Sequence, residues 1–160
     1  MAGRGTPEPG DWASHPLQAP RPDARVLGRW SPVRAADVTA RRLQLASVLH
    51  VGMRPSAAAE AAVERLLLVF EELVSNAVRH GGAPIEVMVS ATGQSWILEV
   101  TDAAGSAPPI PDPGRDAALG GLGLALVAKL SSSHGWEPRG EGRKAVWAQV
   151  DYARDEAATT

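Results

Sequence analysis

Glu72 and Asn76 stand four residues apart in a strongly periodic segment, so on a helix they lie about 40° apart on one face. An amide oxygen and a carboxylate one turn apart are what a hard divalent cation and a proton-abstracting base require. A plainer reading is a solvent-facing helix surface, because the pair falls roughly opposite the apolar stripe. Two features weigh against it. Leu68 and Val69 border the same side, and Asn is a poor helix former in a helix interior. His80 extends the row, eight residues after Glu72, with Arg79 beside it. Taken singly, either is also a cation that complements a helix C-terminus. Asp102 closes an apolar strand pattern and precedes Ala103-Ala104-Gly105, a place where a lone carboxylate is ordinarily a turn-former. Gly120-Gly121-Leu122-Gly123-Leu124 opens a further helical pattern. Glycines there let backbone N–H groups approach a phosphate at the positive helix end. Their spacing matches neither GxxxxGK[ST] nor a strand-borne GxGxxG, which excludes the Walker and Rossmann readings.

These residues need elements to carry them. Val63, Leu66, Leu67, Phe70, Leu73, Val74, Ala77 and Val78 recur at i, i+3, i+4 and i+7. They predict a helix that begins at or just after Pro55-Ser56 and stops at Gly81-Gly82. An earlier helix is predicted over about 32–50, with Ser31 as N-cap and Pro32 at its first position. Its apolar positions are Val33, Ala36, Ala40, Leu43 and Ala46, with Val38, Leu45 and Leu49 alongside, and Gly52 is the stop signal. Pro84–Ala91 and Trp96–Asp102 alternate around a Thr92–Ser95 turn and predict an antiparallel hairpin. Ala103–Leu119 is a proline-rich loop, followed by a helix to about Ser133. Short strands are predicted at Arg25–Trp30 and Gly135–Glu137, and a last one at Lys144–Tyr152. Hairpins with helices that must cover one face make an α+β protein, a two-layer α/β sandwich with a mostly antiparallel sheet. Residues 25–152 form the domain. Residues 1–24, with five prolines, read as a disordered tail whose one plausible partner anchor is Trp12, and 153–160 as a polar tail.

Composition narrows the function. The chain has 160 residues and no Cys, which removes disulfides, thiolate metal sites and cysteine nucleophiles. Its net charge is −2 and its pI about 6.1, so it has no cationic excess for a nucleic-acid backbone or an anionic membrane. No apolar run reaches the ~20 residues of a membrane span, and the N-terminus has no apolar export core. A cytoplasmic location is the expectation.

Taken in order, Glu72-Leu-Val-Ser-Asn76-Ala-Val-Arg79-His80, then Asp102-Ala-Ala-Gly105, then Gly121-Leu-Gly123-Leu124 resemble the N, G1 and G2 boxes of the GHKL ATPases. The resemblance spans about residues 25–151, and within the superfamily it is to the stand-alone anti-sigma-factor serine kinases of the RsbW and SpoIIAB type. It implies the Bergerat ATP-binding fold, with ATP and Mg²⁺ as cofactors. Asn76 would hold the metal and Glu72 would act as general base. Asp102 would accept a hydrogen bond from the adenine amino group, and Gly105 would let the backbone pass close to the base. Residues 106–119 would form a lid over the nucleotide. Gly121, Leu122, Gly123 and Leu124 would line the phosphates, with Arg79 and His80 near the phosphate end.

The implied activity is phosphorylation of a small anti-sigma-factor antagonist on Ser or Thr, with regulation of transcription by partner switching. The implied partners are a sigma factor and a STAS-type antagonist, and the resembling proteins often pair with a second copy. Three positions depart from the family pattern: Ala104 replaces the first G1 glycine, Leu122 brings no charge to the phosphates, and Ala145 aligns with a Thr of the adenine-side network. Two alternatives stay open. One is an ATP-responsive regulatory module without phosphotransfer; the other is a detached histidine-kinase catalytic domain.

Overall fold

The computed structural model describes residues 12, 14–17, 21–105, 108–109 and 123–153. Among them, in chain order, are β1 (Arg25–Trp30), α1 (Ala35–Val48), α2 (Glu60–His80), β2 (Glu86–Ala91), β3 (Ser95–Asp102), α3 (Gly123–Leu130), β4 (Ser133–Arg139) and β5 (Arg143–Asp151). The strands form one sheet in the order β1-β2-β3-β5-β4, with every neighbouring pair antiparallel. Cross-strand partners share a face. Val89 pairs with Leu98, and Leu98 with Ala148; Val87 pairs with Val100, and Val100 with Val146. All six are buried and belong to the core that the helices cover, so the architecture is the anticipated α+β sandwich.

Helix α2 is the spine of that core. Ala62, Leu66, Val69, Phe70, Leu73, Val74 and Ala77 are buried on it, and the Phe70 ring meets the edge of Trp30 at 5.6 Å. Val63, Leu67 and Val78 are partly buried at the flank of the stripe. The helix starts at Glu60, later than Pro55, because Pro55–Ala58 first makes a separate turn closed by the Ala58 N–H on the Pro55 carbonyl (2.9 Å).

Helix α1 also starts later than expected, at Ala35. Asp37 sets the boundary: its carboxylate accepts the backbone N–H groups of Val33 (2.9 Å) and Arg34 (3.1 Å), satisfying donors that no helical carbonyl reaches. Those bonds, Val33 first, hold its pKa below the ordinary value. Val38 and Leu45 are the buried pair on α1, whereas Val33 and Leu43 are exposed, so the buried face is the Val38–Leu45–Leu49 row. Gly52, with φ 102°, breaks the irregular turn Leu49–Met53 from within, in the left-handed region that suits glycine. Helix α3 ends at Leu130 rather than near Ser133, because β4 already begins there and runs on to Arg139.

Within the expected tail, Trp12 and Ser14–Leu17 lie against the sheet. Ser14 bridges in parallel to Trp136 of β4, and the His15 N–H donates to the Trp136 carbonyl (3.0 Å). Two indoles fasten the segment: Trp136 Nε1 donates to the Trp12 carbonyl (3.2 Å) and Trp147 Nε1 to the His15 carbonyl (2.8 Å). Trp12 is buried and its ring sits 4.7 Å from that of His134. This part of the tail therefore bridges the edge of β4 at Trp136, giving that carbonyl a partner it would otherwise seek in solvent.

Candidate functional site

Glu72 and Asn76 share one face of α2 with Val69, which is fully buried, and both are half-buried rather than open to solvent. The neighbour on that side is α3. The Glu72 carboxylate lies against the first residue of α3, so that a side chain at Gly123 would collide with Oε2. Glycine at this position thus lets a carboxylate and a helix N-terminus meet. Burial pushes the Glu72 pKa upward, Glu71 adds to the effect, and Arg79 opposes it. A carboxylate made more basic in this way is better matched to proton abstraction near neutral pH.

The second part of the site forms where α2 ends. Asp102 is 2 % exposed. Its Oδ1 accepts the Ala104 N–H (2.8 Å), an Asx-type turn that fixes the start of the following loop. Its Oδ2 lies 3.8 Å from Lys144 Nζ. A Cβ on Gly81, the C-cap of α2, would come within 2.7 Å of that same Oδ2. The Ala103 N–H donates to the Gly82 carbonyl (2.7 Å), and the Gly105 N–H to the Gly142 carbonyl (2.8 Å). The Asp102–Gly105 loop is thereby tied to the end of α2 on one side and to the β4–β5 turn on the other. A cavity of about 550 Å³, lined by Ala103–Gly105, Pro138, Gly140 and Gly142 among others, opens beside it.

Helix α2 therefore carries both parts. Glu72 touches Gly123, and Gly81 touches Asp102, nine residues further on. At ~1.5 Å rise per residue the two contacts are about 13 Å apart along the axis, with Asn76 between them. Arg79 and His80 occupy the exposed turn after Asn76, each with an interaction partner. They sit toward the Asp102 end, although the charge on Arg79 is still felt at Glu72.

Four placements differ from the expectation, the first being that Arg79 and His80 stand toward the Asp102 end rather than the phosphate end. The close approach that demands glycine at 105 is to the backbone of Gly142, where a Cβ would overlap the carbonyl group. The Leu124 side chain is buried in the core, so only its backbone faces the start of α3. The residue across from Asp102 is Lys144, while Ala145 pairs with Thr101 and points to the other face of the sheet. Lys144 is the buried cation beside Asp102, and a signal for its face existed in the sequence: stepping back by twos from Val150, Ala148 and Val146 lands on it. Gly121, Leu122 and the expected lid over 106–119, apart from Pro108 and Pro109, lie outside the described residues.

The donor set fits a magnesium-bound nucleotide better than a caged metal. Among the described residues no three His, Asp or Glu side chains group as ligands. One amide oxygen and one nearby carboxylate suit Mg²⁺, which keeps waters and takes its remaining ligands from phosphate.

The histidine kinase-like ATPase domain family matches residues 32–150. Among solved structures the chain is similar to the Acinetobacter baumannii histidine kinase AdeS, at 17% identity and a TM-score of 0.44, over 84% of this chain and 70% of that one. No curated protein matches it. With the family match running from just before α1 to Val150 in β5, and including Glu72, Asn76, Asp102 and Gly123, the chain belongs to the histidine kinase-like ATPase domains of the GHKL class.

Proposed function

We propose that this protein binds Mg·ATP between α2, the start of α3 and the Asp102 loop. We further propose that it transfers the terminal phosphoryl group to a Ser or Thr of a small antagonist protein, acting as a cytoplasmic anti-sigma-factor kinase. The observation that carries the reading is the contact of Glu72 with Gly123 one helical turn from Asn76, on the same helix whose C-cap, Gly81, meets Asp102. About 13 Å separates the two contacts along the axis, so a ligand that reaches both must be an extended one.

In this reading the Asp102 carboxylate accepts from the adenine 6-amino group and fixes the base. The Asn76 amide oxygen would hold Mg²⁺, which supplies charge neutralisation on the phosphate oxygens. Backbone N–H groups at the start of α3 face the same oxygens. Glu72 takes the proton from the attacking hydroxyl, and its raised pKa suits that task. Positioning and electrostatics do the remaining work, as phosphoryl transfer asks. The proposed partners are a sigma factor and a STAS-type antagonist.

The test is transfer of label from [γ-³²P]ATP to a candidate antagonist, run beside ATP binding. Label on Ser or Thr, lost in Glu72→Gln while binding persists, supports the kinase reading. Binding without transfer to any antagonist supports an ATP-responsive module instead.

A further inference from the structure

The segment around Trp12 and His15 is gripped at the Gly135–Trp136 stretch of β4 from both faces of the sheet. In the register of β4 on β5, Trp136 stands opposite Val146 on the helix-covered face, and Trp147 stands opposite Gly135 on the other face. The Trp136 indole donates to the Trp12 carbonyl (3.2 Å), and the Trp147 indole to the His15 carbonyl (2.8 Å). Between them the Trp136 carbonyl accepts the His15 N–H (3.0 Å). All three bonds read main chain. Gly135 leaves the room for it: a Cβ there would come within 2.8 Å of both the His15 Cβ and the His15 carbonyl oxygen. One side chain is read as well. The Trp12 ring is buried in the core, against the ring of His134. Main-chain bonds to an extended segment, with one pocket for a side chain, are how a sheet edge recognises a separate peptide.

We infer that the β4 edge at Gly135–Trp136 is a binding site for an extended segment led by a large aromatic residue. Residues 12–15 are its ligand, and the ligand of one copy of this chain fills the site of another. The inference stands apart from the nucleotide reading. Its ground is the separateness of ligand and site. The strands β1 and β4 are the opposite edges of the sheet, so the segment docks at the edge furthest from the strand its chain goes on to form. Past His15, the next hydrogen bond to the domain among the described residues runs from the Gly93 N–H to Asp23 Oδ2 (2.9 Å). Pro16, directly after the docked residues, and Pro22, before β1, fix φ in the connection and oppose a tight return of the chain. A segment from a second copy makes the same contacts and needs no new surface. Exchange is reciprocal, each copy carrying one ligand and one site, and its main cost is the entropy of association.

The test uses two full-length variants. Gly135→Ala blocks the site and keeps the ligand, whereas Trp12→Ala removes the ligand's side chain and keeps the site. Gly135→Ala is labelled with 5-fluorotryptophan, and its Trp12 fluorine resonance is assigned by its loss in Gly135→Ala/Trp12→Ala. Unlabelled Trp12→Ala is then titrated in to millimolar concentration. Near-ultraviolet circular dichroism checks each fold. Trp147→Phe, which removes the donor to the His15 carbonyl and adds no bulk, takes the place of Gly135→Ala if that variant fails to fold. In the labelled variant alone, the Trp12 resonance should leave the parent's position. Added Trp12→Ala should bring it back toward that position, saturating at one to one, and added unlabelled Gly135→Ala should not. A Trp12 resonance that keeps the parent's position in the site-blocked chain overturns the inference. So does one that Trp12→Ala leaves unmoved, or that both added chains move equally.

Discussion

The two ends of the site on α2 are built differently. At Gly81 the parts are buried and fastened: Asp102 bonds the Ala104 N–H, stands beside Lys144, and its loop is tied to Gly82 and Gly142. At Glu72 the side chains are half-buried, the neighbour is helix α3, Gly123–Leu130 among the described residues, and burial works against the carboxylate's charge. The Asp102 end is held by the fold itself, whereas the Glu72 end holds an ionisable group in an unfavourable setting. A group destabilised in this way is typical of sites where stability is given up for chemistry.

Substitutions can break this contrast. Glu72→Gln is expected to lower phosphoryl transfer by about 10²–10⁴-fold, the usual contribution of a general base. Because the folded pKa of Glu72 is raised, its ionisation opposes folding once pH exceeds the ordinary carboxylate value. The same variant should therefore melt slightly higher than the parent at pH 7, and lower melting would contradict the contrast. Phe70→Ala removes the fully buried ring that anchors α2 on Trp30, and should cost about 3–5 kcal/mol in urea unfolding, affecting both ends alike. Asn76→Ala should weaken Mg²⁺-dependent ATP binding by about 100-fold and leave the melting temperature near the parent's.

Two glycine substitutions sharpen the comparison. Gly81→Ala meets the Ala77 carbonyl and the Asp102 carboxylate, both fixed, and should destabilise by about 1–3 kcal/mol while weakening ATP. Gly123→Ala meets only the tip of Glu72, which can turn away, so it should change stability little and slow transfer instead. If both variants lose stability equally, the two ends are equally rigid.

The smallest effect belongs to the Trp12–His15 segment docked at the edge of β4. Burial, with His15 nearby, lowers the pKa of His134 beneath Trp12. A depressed histidine contributes stability that is complete above its ordinary pKa of 6.5 and is lost as pH falls through the folded value. Melting temperature should therefore decline as pH drops below about 6.5, and less steeply in His134→Gln.

Much of this architecture was legible along the chain because it is locally written. The α2 stripe and the β2–β3 alternation each bury one face at a fixed period, so periodicity finds them. Glu72 and Asn76 were legible through their spacing, and Val69, buried on the same face, explains why that face is not a wet one. What escaped depends on partners far away in sequence. The start of α1 follows from Asp37 reaching back to Val33 and Arg34, not from Ser31-Pro32. The docking of Trp12 and Ser14–Leu17 depends on indole N–H groups 124 and 132 residues later. The choice of Lys144 over Ala145 is one of strand register, where a shift of one residue exchanges the faces.

The most direct test of the whole account is calorimetric titration of the protein with ATP and with GTP, each with and without Mg²⁺. One ATP per chain, bound in a Mg²⁺-dependent manner and at least about tenfold more tightly than GTP, is the predicted result. Absence of ATP binding, or equal affinity for the two nucleotides, would contradict an adenine site built on Asp102, Asn76 and the start of α3.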